Sequence, residues 1–256
     1  MPREFLIFST QRSGSTWLVD LLNGHPAIRA YSELFLENGR GHRIAGANDC
    51  LFFNQYLESA KHTGPSGASL EQLLSAYLDT VFEDQDGIEA IGFKLMYGQF
   101  GAYTDLQGLL SRRGVSVIHL IRDNLLDILI SKQTAVARDL FHAPGDVEVS
   151  PIRILMNVGA LEAQLRDQEN QIERARRKLD ALGWPTVDVR YESLVTDPSA
   201  FSGLLRFLDV SGPDRPRVSA LRKINTSGQE MIVENYDEVV KKLCGTRYEQ
   251  FLRSAS

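Results

Sequence analysis

Short, mostly hydrophobic runs alternate along this chain with segments in which hydrophobic residues recur every three or four positions. The runs are too short for helices and predict buried strands; they are Phe5–Phe8, Ile91–Met96, Val115–Ile121 and the start of Val187–Leu194. The three-to-four spacing predicts amphipathic helices; examples are Trp17–Leu22, Leu70–Phe82, Leu125–Ser131 and Phe201–Leu208. A longer stripe from Ile154 to Leu182 steps alternately by four and three residues. It predicts a helix packed on its own domain or, as the alternative, a coiled-coil homodimer.

The loop between the first strand and the first helix is rich in hydroxyl groups, and residues 9–16 read STQRSGST. A helix starting after such a loop leaves backbone N–H groups of Ser13 to Thr16 unpaired, and its dipole favours an anion there. Gly14 lets the backbone approach a ligand closely, and Arg12 adds a permanently charged group suited to oxyanions. The loop therefore predicts a phosphate or sulfate cradle. An ordinary strand-to-helix turn with hydroxyl caps is the alternative.

The loop differs from the nucleotide-binding loop of ATP- and GTP-dependent enzymes. That motif reads G-x-x-x-x-G-K-S/T, whereas this chain has Ser9 at the first glycine and Ser15 at the lysine. The lysine and a magnesium ion normally help to neutralise transferring phosphates. Because this chain's loop departs from that motif, the sequence argues against phosphoryl transfer and predicts a site that works without a metal ion.

Residues Gln11–Leu18 resemble the 5′-phosphosulfate loop of sulfotransferases that use 3′-phosphoadenosine 5′-phosphosulfate (PAPS). In that family a basic residue precedes Ser/Thr-Gly-Ser/Thr-Thr, and Arg12 matches the basic position. Gln11 departs from the proline that is common before it. The resemblance implies that this loop binds PAPS through the following residues: Gln11, Arg12, Ser13, Gly14, Ser15, Thr16 and Trp17.

The same resemblance suggests which residues act in catalysis. Glu33 lies eight residues after His25, which matches the position of the catalytic base in tyrosylprotein and several bacterial carbohydrate sulfotransferases. Lys94 lies inside a predicted strand, where a charge needs solvent or a partner. In relatives a lysine at the end of the corresponding strand lies by the transferred group. Glu33, Lys94 and Arg12 are therefore the expected catalytic residues. The alternatives are a solvated glutamate in a loop and a snorkelling lysine.

Three further segments resemble the nucleotide-binding elements of the family. Arg122 follows a buried strand and Ser131 lies on the next helix, as in the 3′-phosphate element, although they are nine positions apart where the family has eight. Tyr191 lies in a Tyr-Glu-x-Leu signature whose tyrosine contacts adenine in relatives. Arg222 and Lys223 lie where the family has a basic loop over the 3′-phosphate.

Composition sets the remaining expectations. The chain has 256 residues, a net charge of −5 and two cysteines. This length and composition are typical of a single globular α/β domain. The negative charge disfavours nucleic acid as a partner. The sequence contains no membrane-length hydrophobic run and no signal-peptide pattern, so we expect a cytoplasmic protein without stable membrane insertion.

The resemblance, which extends to nodulation sulfotransferases, implies one sulfotransferase domain over residues 1–256, with a P-loop-like α/β fold and a parallel sheet of four or five strands. It implies sulfuryl transfer from PAPS to an acceptor hydroxyl, on a carbohydrate or glycolipid, with 3′-phosphoadenosine 5′-phosphate (PAP) as product. A nucleotide-dependent kinase and an inactive nucleotide-binding module are the alternatives.

Overall fold

Five parallel strands form the centre of the protein in the computed structural model. The description covers residues 1–36, 50–63, 67–138, 152–213 and 228–252. The strands are β1 (Arg3–Ser9), β2 (Ile28–Glu33), β3 (Ala90–Met96), β4 (Ser116–Ile121) and β5 (Thr186–Arg190). Their order across the sheet is β2-β3-β1-β4-β5, and every pairing is parallel. The predicted α/β fold with a parallel sheet is confirmed.

Helices connect the strands and cover the sheet. They are α1 (Ser15–Asn23), α2 (Phe53–Thr63), α3 (Leu70–Val81), α4 (Tyr97–Ala102), α5 (Thr104–Arg113), α6 (Leu125–Arg138), α7 (Leu161–Leu182), α8 (Tyr191–Thr196), α9 (Pro198–Leu208), α10 (Gln229–Ile232) and α11 (Tyr236–Leu243), followed by a 3₁₀ turn at Glu249–Phe251. The helix α3 starts at a capping box, in which the Ser69 hydroxyl accepts from the Gln72 backbone N–H. Within these described ranges, no helix is long and apolar enough to cross a membrane.

The sheet is buried on both faces, because alternate side chains of a strand point to opposite sides. On β1, Leu6 and Phe8 pack with residues of α3 and α5, whereas Phe5 and Ile7 pack with residues of α1 and α9. A third apolar cluster joins α6, α7 and α11 beside the sheet. This double coverage explains why the central strands are nearly continuous hydrophobic runs.

The heptad stripe is buried inside the chain. The helix begins only at Leu161, so the stripe's first two positions, Ile154 and Val158, precede α7. From Leu161 to Leu179 the stripe residues are buried in the chain's own apolar clusters. The prediction that the stripe packs on its own domain is therefore correct. A homodimer, if one forms, would have to use another surface.

Candidate active site

Those chemistry-bearing residues of the predicted set that the structure describes lie together at the carboxyl edge of the sheet. The loop after β1 lies between the ends of β3 and β4, because β1 pairs with both. Ligands of open α/β sheets bind at this edge, where neighbouring strands connect in different directions. The strand order therefore places residues 9–16, called the anion loop after the ligand that their sequence predicts, at the expected position for a ligand.

The anion loop has a conformation that only some residues adopt. Arg12 and Gly14 both have positive φ, at 64° and 91°, and α1 starts at Ser15, two residues before the first helically spaced residue, Trp17. A Cβ atom on Gly14 would lie 2.3 Å from the Tyr191 ring, so this position requires glycine for space as well as conformation. The Ser13 hydroxyl oxygen is buried and has no hydrogen-bond partner among the described residues. A buried polar atom of this kind is costly unless a ligand or water satisfies it.

Lys94 is the most buried charged group of the site. It is 2% exposed, and its Nζ lies 3.0 Å from Glu33 Oε1 and donates to Thr16 Oγ1 at 3.0 Å. Burial lowers the pKa of Lys94, the carboxylate of Glu33 opposes this shift, and the charge on Arg12 adds to it. The ammonium thus joins the end of β2 to the first turn of α1.

Glu33 lies at the end of a strand rather than in the loop suggested by its sequence. The register between β2 and β3 shifts after Tyr31, which brings Glu33 opposite Lys94. Its second carboxylate oxygen, Oε2, accepts from Gln99 Nε2 at 3.0 Å. The side chain is 18% exposed, so its carboxylate remains accessible to an acceptor.

Arg12 of the loop lies close to a second arginine, Arg122, which follows β4. The Arg12 Nε donates to Ser131 Oγ at 2.9 Å, and Arg122 Nη1 donates to the backbone oxygen of Arg12 at 3.3 Å. Burial lowers the pKa of Arg12, and the nearby positive charge of Arg122 lowers it further. Ser131 reaches the site in spite of its nine-residue spacing from Arg122. Two adjacent guanidinium groups form a site that an anion would stabilise.

Arg122 is held by acidic side chains that the sequence interpretation missed. Its Nη2 donates to Asp127 Oδ2 at 2.9 Å, and its Nε lies 4.0 Å from Glu192 Oε1. Asp127 Oδ1 in turn accepts from Gln229 Nε2 at 2.8 Å. Asp127 could have been noticed because it lies on the helix that carries Ser131, one turn before it.

Aromatic rings form one wall of the site. Tyr191, the first residue of α8, packs against Gly14, and the Arg122 guanidinium lies 5.3 Å from the centre of its ring. Trp17 meets Tyr191 edge to face at 5.6 Å. Gln11 is exposed on the turn, whereas Ser15 is buried. Every described residue of the predicted set thus lies in or beside one region, which centres on the loop.

Gln99 is a further residue that the sequence interpretation missed. It lies three residues after Met96, the last residue of β3, and its Oε1 accepts from the Met96 backbone N–H at 2.9 Å. A glutamine at this distance from a helix start is a capping signal. That signal could have drawn attention to Gln99, but not to its contact with Glu33.

Two predicted site residues and the predicted independence from metal ions remain untested. Arg222 and Lys223 lie outside the described residues, so their part in the site stays a prediction. Among the residues that are described, no group of three or more His, Cys, Asp or Glu side chains is arranged to hold a metal ion. A site that works without metal also stays a prediction.

Comparisons with known proteins give similarity at the level of structure. No family model matches the sequence, and no curated protein matches it. A sulfotransferase from Alicyclobacillus acidocaldarius superposes with a TM-score of 0.46 and 15% identity, over 100% of this chain and 97% of the other. Mouse sulfotransferase SULT7A1 complexed with PAP superposes with a TM-score of 0.42 and 13% identity, over 97% of this chain and 86% of the other. Both TM-scores are below 0.5, and both identities are below 25%.

Proposed function

We propose that the protein transfers a sulfuryl group from PAPS to the hydroxyl group of an acceptor. The observation that carries the proposal is the Lys94 ammonium, which contacts both the Glu33 carboxylate and the Thr16 hydroxyl at 3.0 Å. A carboxylate, a buried cation and an anion loop thus meet at one point. This combination supplies a proton acceptor and a stabiliser of developing negative charge.

The residues of the site fit the anionic groups of this donor. The buried Ser13 hydroxyl has an unused hydrogen-bonding capacity, and the backbone N–H groups at the start of α1 favour an anion. These groups, with Ser15 and Gln11 beside them, would hold the phosphosulfate. The paired guanidinium groups of Arg12 and Arg122 supply positive charge for further phosphate oxygens.

The rest of the nucleotide would extend along the loop toward α6 and α8. Ser131, together with Arg122, would hold the 3′-phosphate, and Arg222 and Lys223 would add charge from outside the described residues. The aromatic side chains of Tyr191 and Trp17 would stack or pack against the adenine. When bound, PAPS supplies an activated sulfuryl group whose leaving group is a phosphate.

The reaction follows from what the side chains can do. Glu33 accepts the proton of the acceptor hydroxyl as that oxygen forms its bond to sulfur, and its carboxylate is accessible for this role. Lys94 and Arg12 stabilise the negative charge on the sulfuryl oxygens and on the oxygen of the departing PAP. We further propose that the acceptor is a carbohydrate or glycolipid, that no metal ion takes part, and that the protein acts in the cytoplasm.

A radiolabelled-sulfate screen against sugar, glycolipid and phenol hydroxyls tests the proposal. Glu33→Gln should reduce kcat by about 100-fold or more while PAP affinity, measured by calorimetry, stays within about twofold of wild type. Arg12→Ala should reduce both kcat and the affinity for PAP. Glu83→Gln, which removes an exposed carboxylate outside the site, serves as the control. An unchanged kcat in Glu33→Gln would exclude Glu33 as the base.

The alternative functions give different results in a thermal-shift assay. A sulfotransferase should be stabilised by PAP without a divalent ion, whereas a kinase should be stabilised more by ATP with magnesium. An inactive module should bind PAP and transfer no label to any acceptor. Stronger stabilisation by ATP with magnesium, or PAP binding without transfer of label to any acceptor, would overturn the proposed function.

A further inference from the structure

We propose that Gln99 is the positioning residue of Glu33, which it holds in the orientation needed to accept a proton. This inference rests on the proposed function, because it assigns Gln99 a role in the same reaction. Gln99 contacts neither the anion loop nor the arginines in any described hydrogen bond, so its effect would act through Glu33.

The backbone determines which end of the Gln99 amide faces Glu33. The Met96 N–H can only donate, and it donates to Gln99 Oε1 at 2.9 Å. The other end of the amide, Nε2, is therefore a donor directed at Glu33 Oε2, at 3.0 Å. A flipped amide would place two donors, the Met96 N–H and the side-chain NH₂ group, against each other.

The two oxygens of Glu33 then have different fixed donors. Lys94 binds Oε1 and Gln99 binds Oε2. Rotation of the carboxylate about its terminal bond would weaken both contacts at once. Lys94 alone would leave this rotation free, because an ammonium is a point charge that can follow either oxygen.

The helix that carries Gln99 is itself anchored to the sheet. Tyr97, the first residue of α4, has its hydroxyl 2.7 Å from His119 Nε2 on β4. His119 Nδ1 lies 2.8 Å from Asp188 Oδ1 on β5, and Arg176 of α7 donates to the same carboxylate. This network, which is buried at His119 and reaches the surface at Asp188 and Arg176, ties the start of α4 to β4 and β5, so Gln99 approaches Glu33 from a rigid support.

The substitution Gln99→Glu separates positioning from helix capping. A glutamate side chain has the same shape and can still accept from the Met96 N–H, but it has no N–H group to donate to Glu33. Since small misplacements of a reacting group can cost up to about 100-fold in rate, we expect kcat to fall by about 10- to 100-fold. KM and PAP affinity should stay within about twofold of wild type.

Gln85→Glu is the matched control. Gln85 also donates through Nε2 to a residue of β2, namely the Tyr31 hydroxyl at 3.2 Å. The substitution adds the same charge, but it faces Tyr31, which has no part in the proposed reaction. We therefore expect Gln85→Glu to leave kcat within about twofold of wild type.

A second measurement needs no acceptor. Gln99→Glu puts two carboxylates face to face, which is unfavourable, so it should lower Tm by about 2–4 °C or more, the shift that accompanies about 1 kcal/mol in a chain of this size. In the Glu33→Gln background the same substitution should not lower Tm, because the amide there can donate to the new carboxylate. This double-mutant cycle reports the contact directly.

The outcomes separate the inference from the function on which it rests. A wild-type enzyme that transfers sulfate, with Gln99→Glu at wild-type kcat, would overturn the positioning role and leave the proposed function intact. Equal Tm shifts in the two backgrounds would overturn the contact itself. A wild-type protein that neither binds PAP nor transfers sulfate would overturn the proposed function, and the catalytic role of Gln99 with it.

Discussion

The Lys94–Glu33 pair should respond unequally to the loss of either partner. Lys94 is 2% exposed and Glu33 is 18% exposed, so the ammonium depends on its partner more than the carboxylate does. Glu33→Gln leaves a buried positive charge without a counterion. Lys94→Met removes that buried charge, fills nearly the same volume, and leaves a carboxylate that still reaches solvent and Gln99.

The expected difference in stability follows from the cost of an unpaired buried charge. Removing one partner of a buried pair costs about 3–5 kcal/mol, whereas replacing buried ions by apolar groups is often neutral. We expect about 3 kcal/mol for Glu33→Gln, the lower end of that range, because the glutamine oxygen still accepts from Lys94. Lys94→Met should stay within about 1 kcal/mol of wild type.

Thermal and urea unfolding of the two variants test this reasoning. For a chain of this size, about 3 kcal/mol corresponds to a Tm lower by about 6–12 °C. Both variants should lose sulfuryl transfer at 25 °C, so activity does not separate them and stability does. The double variant Glu33→Gln/Lys94→Met should recover the stability of Lys94→Met. A loss of stability in Lys94→Met that equals or exceeds the loss in Glu33→Gln would refute the argument.

The pH dependence of the stability of Glu33→Gln provides a second check that the unpaired charge on Lys94 is what destabilises this variant. Burial lowers the pKa of Lys94 and Glu33 opposes this shift, so removing the carboxylate should lower that pKa further. The folded state then binds fewer protons than the unfolded state, and the free energy of unfolding rises with pH. The stability deficit of Glu33→Gln should therefore shrink as the pH rises toward about 10, where an unfolded lysine titrates. A constant deficit would contradict this.

The remaining predictions concern the anion loop and the buried histidine of β4, His119. Gly14→Ala should lower PAP affinity by more than about tenfold, because a Cβ atom would meet the Tyr191 ring at 2.3 Å and φ is 91°. Gly114→Ala, at a positive φ with open space around it, is the control for backbone strain and should leave affinity unchanged in calorimetry. Burial lowers the pKa of His119 against the opposing effect of Asp188, so the folded state binds fewer protons and urea unfolding should show stability falling below about pH 6.5. His25 is also buried and burial also lowers its pKa, so it adds to the same slope. His119→Gln should therefore reduce the slope, and an equal slope in the variant would assign it to other groups.

Local patterns were enough to predict most of the elements. The runs at β1, β3 and β4 are buried strands, and the three-to-four spacing at α3 and α9 gives amphipathic helices. These patterns work because strand and helix periodicities are properties of neighbouring residues. The loop after β1 was predicted for the same reason, since its glycine and hydroxyl residues act through backbone conformation and a helix start.

The edge strand β2 shows where local patterns fail. It reads Ile-Arg-Ala-Tyr-Ser-Glu, and this mixture of polar and apolar residues does not resemble the buried central strands. Glu33 was therefore interpreted as a loop residue. An edge strand has one neighbour, and its pairing with β3 is determined by long-range packing.

Hydrophobic pattern and loop composition were enough to predict the buried central strands, most of the helices, an anion-binding loop, and a lysine inside β3 that needs a partner. Strand order and register were needed to bring Glu33 opposite Lys94, to bring Arg122 into contact with Arg12 from 110 positions away, and to add Gln99 and Asp127 to the candidate site. Hydrophobic periodicity encodes which face of an element is buried. It does not encode strand order or register, and these bring distant side chains together at the carboxyl edge of the sheet.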